Sequence, residues 1–224
     1  MKYTSMQDLQ ALASNKLKTR PTPKQARALL RVQEILVTTA QVLERHPPAD
    51  LSTTLIAENA GIPVSSIYRY FPGIEDLLDE LYEQATEQLN AQIMAVMNEW
   101  TPAEDWKEKL YKALSVIRVF LNEHPFYRAL HLLIMARRGP QTLQEERHKP
   151  FTQFLAERWR NGLDGFSGGD ADVVARISVQ MALTLEDLMA RQTDPENETV
   201  YFDELNKAMQ QYLRLYLSQN EAVD

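Results

Sequence analysis

Along almost the whole of this chain, apolar residues recur every three or four positions, and no convincing stretch alternates apolar with polar. That period belongs to helices, because 3.6 residues per turn bring positions i, i+3 and i+4 to one face, whereas a half-buried strand needs a period of two. The 11 prolines fall mostly between the periodic stretches, where a missing N–H and a fixed φ do least harm, and only 7 glycines occur in 224 residues. An all-α fold of about nine helices follows. The expected segments are roughly 23–46, 50–60, 64–71, 73–99, 103–122, 125–138, 143–162, 170–192 and 201–218, with a further short helix over Ser5–Ala13. The first is the best marked: Thr22-Pro23-Lys24-Gln25 offers a capping hydroxyl, proline at the first helical position and glutamine at the third.

A chain that is 44% hydrophobic at this length can bury a substantial core. No apolar run reaches the roughly 20 residues that cross a bilayer, and the first residues, MKYTSMQDLQ, lack the apolar core of a secretory signal. A soluble protein of the cytoplasm is expected. The absence of cysteine excludes disulfides, thiolate metal sites and cysteine nucleophiles. No Ser-His-Asp grouping, phosphate-binding glycine loop or dinucleotide fingerprint can be assembled at suitable spacing, so an enzyme is not expected.

A net charge of −7 argues against a nucleic-acid partner until its distribution is considered. Residues 16–72 hold eight Lys/Arg against four Asp/Glu, a local balance of +4, whereas residues 73–224 stand at −11. Lys16, Lys18, Arg20, Lys24, Arg27 and Arg31 gather at the front of the basic region. Within a Debye length of about 10 Å this local field is what a phosphate backbone meets. A basic but merely solvated helix face is the plainer alternative.

The basic region leads into AENAGIPVSSIYRYFP, residues Ala57 to Pro72, where two short helical pieces flank a turn. Ala57 and Ala60 allow close helix approach, Gly61 can adopt the left-handed conformation that ends a helix, and Ile62 and Ile67 can lock the pair from beneath. Such a helix-turn-helix unit projects the start of its second helix into a major groove. Ser52, Thr53 and Thr54 would cap the first helix and face phosphate, while Ser65, Ser66, Tyr68, Arg69 and Tyr70 would lie on or near the duplex. Arg69 is the best candidate for a base contact, since its planar fork matches two acceptors of guanine, although a phosphate would suit it equally.

The run Gly61-Ile62-Pro63-Val64-Ser65-Ser66-Ile67-Tyr68-Arg69-Tyr70-Phe71-Pro72, followed by Glu75-Asp76-Leu77-Leu78, closely resembles the TetR/AcrR family of bacterial transcriptional regulators. The close resemblance covers about residues 24–82, and beyond it only the number of helices matches. It implies that Thr53 and Thr54 touch the DNA backbone and that Val64, Ser65, Ser66, Tyr68, Arg69 and Tyr70 contact bases or phosphates. Two positions depart from the family pattern: Pro63 replaces a capping serine, and Ile74 stands where a phosphate-pairing lysine is common. The arm carrying Lys18 and Arg20, with Lys24 beyond it, is expected to compensate by reaching the minor groove. This gives a basic arm over 1–21, a DNA-binding domain over 22–82 and a ligand-binding and dimerisation domain over 83–224.

In the family the C-terminal helices enclose a ligand cavity, which implies that Trp106, Phe120, Phe126, Tyr127, His131, Met135, Phe154 and Trp159 line a site for a lipophilic or aromatic molecule. An aromatic stripe at helical spacing is also what ordinary core looks like. His124 and His131, without a nearby carboxylate, make a poor metal site and read as partly buried polar residues. Asp170 and Asp172 read as acids in the first turn of a helix. The last two helices carry stripes of surplus apolar residues, Ile177, Met181, Leu185 and Leu188 on one and Met209, Tyr212, Leu213 and Tyr216 on the other, suited to pairing with a second copy. The expected protein is a homodimeric repressor that reads a palindromic operator on double-stranded DNA and is released by a small-molecule inducer. The rival reading is a ligand-sequestering helical protein whose DNA-binding head has lost its target.

Overall fold

A computed structural model describes residues 23–99, 105–138 and 140–218. Among them are nine α-helices and no strand: α1 Pro23–Leu43, α2 Thr53–Ala60, α3 Val64–Tyr68, α4 Ile74–Asn98, α5 Trp106–Glu123, α6 Pro125–Arg138, α7 Pro140–Arg160, α8 Ala171–Ala190 and α9 Pro195–Leu213. Two single turns of 3₁₀ helix, Pro48–Asp50 and Leu163–Gly165, punctuate the connections. The all-α expectation holds. The Thr22 cap and the helix expected over Ser5–Ala13 lie outside the described residues.

Three boundaries differ instructively from those expected. α3 ends at Tyr68 rather than 71, because the amides of Tyr70 and Phe71 both turn back to the Ile67 carbonyl, at 2.9 and 3.0 Å. α9 begins at Pro195 rather than 201: the Asp194 carboxylate accepts from the Glu196 amide at 2.9 Å, and proline fills the first helical position. It stops at Leu213 rather than 218, since the following segment pairs with the turn after α7. α8 starts where its acids indicated, Asp170 accepting from the amides of Asp172 and Val173 at 2.9 and 3.2 Å.

The chain divides into two compact units, with the divisions falling within α4 after Gln88, within α5 after Leu121 and at the end of α6 after Arg137. The first holds residues up to Gln88 together with Asn122–Arg137. Its α1 packs on α2 and α2 on α3. The apolar stripe of α1 delivers Ile35, Leu36, Ala40 and Leu43 to the interior, where α4 adds Leu77, Leu81 and Ala85 and α6 adds Phe126, Leu130 and Ile134. Polar groups are buried there in mutual contact. The Tyr82 hydroxyl lies 2.9 Å from His131 Nδ1, the Thr86 and Tyr127 hydroxyls are 3.3 Å apart, and the Tyr82 and Tyr127 rings stack at 5.3 Å. Gln33 donates to Gln84 at 3.3 Å.

The second unit holds Leu89–Leu121 and residues from Arg138 onward, with α7 packed on α8 and α8 on α9. Trp106, Phe120, Phe151, Trp159, Leu185, Phe202 and Leu213 are buried in it. After α7 the backbone turns sharply: Gly162, Asp164 and Gly165 have φ of 73, 61 and 69°. The turn is tied to the segment after α9, Ser218 donating its amide to the Gly165 carbonyl at 3.3 Å and Ser167 donating to the Tyr216 carbonyl at 2.8 Å.

Gly165 is therefore fixed twice, by a left-handed φ and by the Ser218 carbonyl oxygen, which would stand 2.5 Å from a Cβ. Gly165→Ala is expected to destabilise the chain by about 1–3 kcal/mol in urea unfolding. An unchanged midpoint would contradict the tie between this turn and residues 216–218.

Candidate nucleic-acid interface

The first unit presents the quoted helix pair in the geometry its turn chemistry dictates. Ser52 caps α2, its hydroxyl accepting from the Leu55 amide at 3.1 Å. Gly61 ends α2 with φ 64° and ψ 31°, and the Ile62 amide closes back on the Ala57 carbonyl at 3.0 Å. Pro63 then precedes α3 with φ −60° and no side-chain acceptor, so this helix starts on geometry preset by a proline ring. Ile56, Ala57, Ile67 and Phe71 are buried.

With Ile67 pointing inward, the other face of α3 turns to solvent. Ser65, Tyr68 and Arg69 are exposed, Tyr68 by 53%, and Val64, Ser66 and Tyr70 are half-buried. Thr54 is exposed at the start of α2, whereas Thr53 is buried. Its hydroxyl lies 3.0 Å from the Tyr68 hydroxyl, fifteen residues away. Sequence reasoning named both as separate DNA contacts; the tie between them depends on the crossing of α2 and α3, which no local pattern encodes.

The basic residues ahead of this face are only partly described. Lys18 and Arg20 lie outside the described residues, and Lys24 falls in the first turn of α1 with its side chain outside them. Arg27 is exposed, and Arg31 is bridged to Glu34 at 2.6 Å. Ile74, in the place of the expected lysine, is half-buried at the first position of α4.

The second unit holds a partly open cavity of about 70 Å³. Its walls include Met97, Trp106, Leu110, Phe151, Leu155 and Trp159, and among all its lining residues only Asp164 and Ser178 are polar. Of the ligand-site residues expected from the sequence, Trp106 and Trp159 line this cavity. Phe120 is buried and Phe154 half-buried beside Phe151, ring centroids 6.3 Å apart, and neither lines it. Phe126, Tyr127, His131 and Met135 instead belong to the interior of the first unit. There the Tyr127 hydroxyl and the His131 ring meet the hydroxyls of Thr86 and Tyr82, so these residues behave as core. His124 is likewise buried, as His131 is.

The stripes expected to meet a second copy divide in the same way. Ile177 is 41% exposed, and Met181, Leu188, Tyr212 and Tyr216 are half-buried. Leu185, Met209 and Leu213 are buried within the chain itself, the last two on the cavity wall, which leaves their side chains no surface to share with a partner. Burial first, then the adjacent Tyr216, pushes the Tyr212 phenol above its ordinary range.

Comparison with known proteins places this geometry in context. Residues 35–81 match the family model described as bacterial regulatory proteins, tetR family. Nucleoid occlusion factor SlmA of Vibrio atlanticus is 31% identical over 96 residues, 42% of this chain and 47% of that protein. SlmA of Shewanella woodyi is 23% identical over 192 residues, 82% of this chain and 94% of that protein. Against several other SlmA relatives the matched stretch likewise spans about half of their length, 47%. Among solved structures, the fatty acid degradation regulator FadR from Bacillus halodurans superposes with a TM-score of 0.64 at 20% identity, covering 88% of this chain and 99% of that one. At that identity the likeness speaks for the fold alone.

Tyr68→Phe removes the hydroxyl that meets buried Thr53. A loss of about 0.5–1.5 kcal/mol in unfolding free energy is expected; unchanged stability would contradict the tie between the two helices.

Proposed function

We propose, from the premise that this chain is a member of the TetR family of bacterial regulatory proteins, that it is a homodimeric, sequence-specific DNA-binding regulator whose hold on its operator is relieved by a small apolar ligand. The observation that carries the reading is the exposed face of α3. Ser65 and Tyr68 face solvent on a helix whose opposite side is anchored by wholly buried Ile67, and Arg69, which caps that helix, is exposed beside them. A head that had lost its target would have no need to keep a guanidinium, hydroxyls and an aromatic ring together on so short a helix. Thr54 and the Ser52-capped start of α2 fit a phosphate contact, and Arg69 fits a base.

Dimerisation supplies what one short helix lacks. Two copies of α3 about 34–36 Å apart would meet successive major grooves on one face of the duplex, so the operator would be a palindrome. Ile177 with half-buried Met181, Leu188, Tyr212 and Tyr216 provides apolar surface for such pairing. The ligand reading rests on the cavity of the second unit. Its 70 Å³ is about half the ~150 Å³ of an engineered cavity that admits benzene, and it is partly open, so the end of an aliphatic chain suits it better than a whole ring. DNA and ligand would oppose each other through a coupling of about 1–3 kcal/mol, provided that the ligand favours one dimer shape over the other.

A second reading comes from the SlmA relatives, whose name describes nucleoid occlusion, because one aligns over 82% of this chain. On that reading the protein occupies many chromosomal sites and needs no inducer. A genome-wide occupancy map separates the two: a few promoter-proximal peaks support the regulator, and dispersed peaks unrelated to promoters support the alternative.

At residue level, Arg69→Ala is expected to cost about 1–3 kcal/mol of operator affinity and to relax preference at one base pair. Titrations against single-base operator variants at several salt concentrations check it. Equal weakening on every sequence, with a smaller salt slope, would reassign Arg69 to phosphate.

A further inference from the structure

One residue of the cavity lining in the second unit, Asp164, belongs to an ion cluster, which an apolar pocket does not need. Asp164 lines the cavity, and its side chain is only 3% exposed. Arg158 grips that carboxylate with two donors, Nε to Oδ2 at 2.6 Å and Nη2 to Oδ1 at 2.8 Å. Lys109 Nζ lies 3.9 Å from Oδ1 on a side chain 4% exposed. Asp164 thus joins the edge of the hydrocarbon space to Arg158 and buried Lys109, on a backbone held at a left-handed φ of 61°.

We propose that Asp164 occupies the seat of the ligand's own head group: the small molecule is a straight-chain aliphatic carboxylate whose tail enters the cavity and whose carboxylate displaces Asp164 from Arg158 and Lys109. This deepens the ligand reading above and rests on it. Exchanging one carboxylate for another keeps the two-pronged arginine geometry, so the ionic part of the exchange is nearly balanced, and release of Asp164 from its left-handed backbone is the gain that a charged head brings and a neutral one does not. A neutral molecule of equal length gains no such contact. Release of Asp164 also frees a turn that is bonded to the segment after α9 through Gly165, Ser167, Tyr216 and Ser218. Leu217 of that segment and Leu213, the last residue of α9, line the cavity, so head-group exchange and tail entry act on adjoining chain. Movement there would bear on α9, whose half-buried Tyr212 belongs to the surface offered for dimerisation.

The test uses the full chain with octanoate, 1-octanol and methyl octanoate, followed by calorimetry and by the fluorescence of Trp106 and Trp159, which line the cavity. Octanoate is expected to bind at least tenfold more tightly than either neutral analogue, and Arg158→Gln is expected to erase that margin while leaving 1-octanol binding unchanged. Should Arg158→Gln lose its helical circular dichroism, the head-group comparison on the unaltered protein decides. Equal affinity for all three probes, or octanoate binding untouched in a folded Arg158→Gln, would overturn the head-group assignment and leave an apolar ligand site standing. Binding of none of the three would overturn both. Tight octanoate binding that leaves operator affinity unchanged would support the head-group assignment and sink only the inducer role.

Discussion

The burial of Ile67 is the constraint on which the proposed DNA-reading surface depends. α3 is five residues long, far too short to be helical by its own hydrogen bonds, and its proline start supplies no side-chain cap. Sinking one isoleucine side chain is worth about 1.5–3 kcal/mol, against about 0.5–1.5 kcal/mol for a typical hydrogen bond. The apolar anchor therefore fixes where α3 lies, and the Thr53–Tyr68 hydroxyl contact at 3.0 Å refines how it is rotated. Ser65 and Arg69 then face outward as a consequence of helical periodicity.

The two units solve their interiors differently. In the first, Tyr82, Thr86, Tyr127 and His131 bring hydroxyls and imidazole into contact under close-packed aromatic rings. Such a network rewards one arrangement over its neighbours, which suits the proposed role of holding a reading head in register. The second unit leaves space beside a buried ion cluster, and its turn at Gly162–Gly165 runs through left-handed backbone. A gap and, on the proposal above, a displaceable carboxylate suit an element with two arrangements. α4 contributes residues to both units.

Much of this was legible in the sequence because it follows from local rules. The helix period, the glycine stop at Gly61, the Asp170 cap and the polar face of α3 are each encoded within a few residues. The start of α9 was equally local, in Asp194-Pro195-Glu196, but the apolar stripe beginning near 201 drew the boundary inward. What sequence could not supply was partnership at a distance. Aromatic residues of α6 and of α5 look alike by period, yet Tyr127 and His131 meet Tyr82 and Thr86, while Trp106 faces the cavity. Leu185, Met209 and Leu213 likewise cannot be told from surface stripes until the chain's own packing claims them. The Arg158–Asp164 pair, six residues apart, has no helical spacing to announce it, because a left-handed turn brings it together.

The central claim, that the outward face of α3 meets DNA, is tested most directly by amide hydrogen exchange with and without a specific operator duplex. So short a helix, with few internal bonds, exchanges readily when free. The account predicts slowed exchange concentrated in residues 52–54 and 64–70 on addition of operator, with far less change on a scrambled duplex. Unchanged exchange across α3 alongside protection elsewhere in the chain would contradict it.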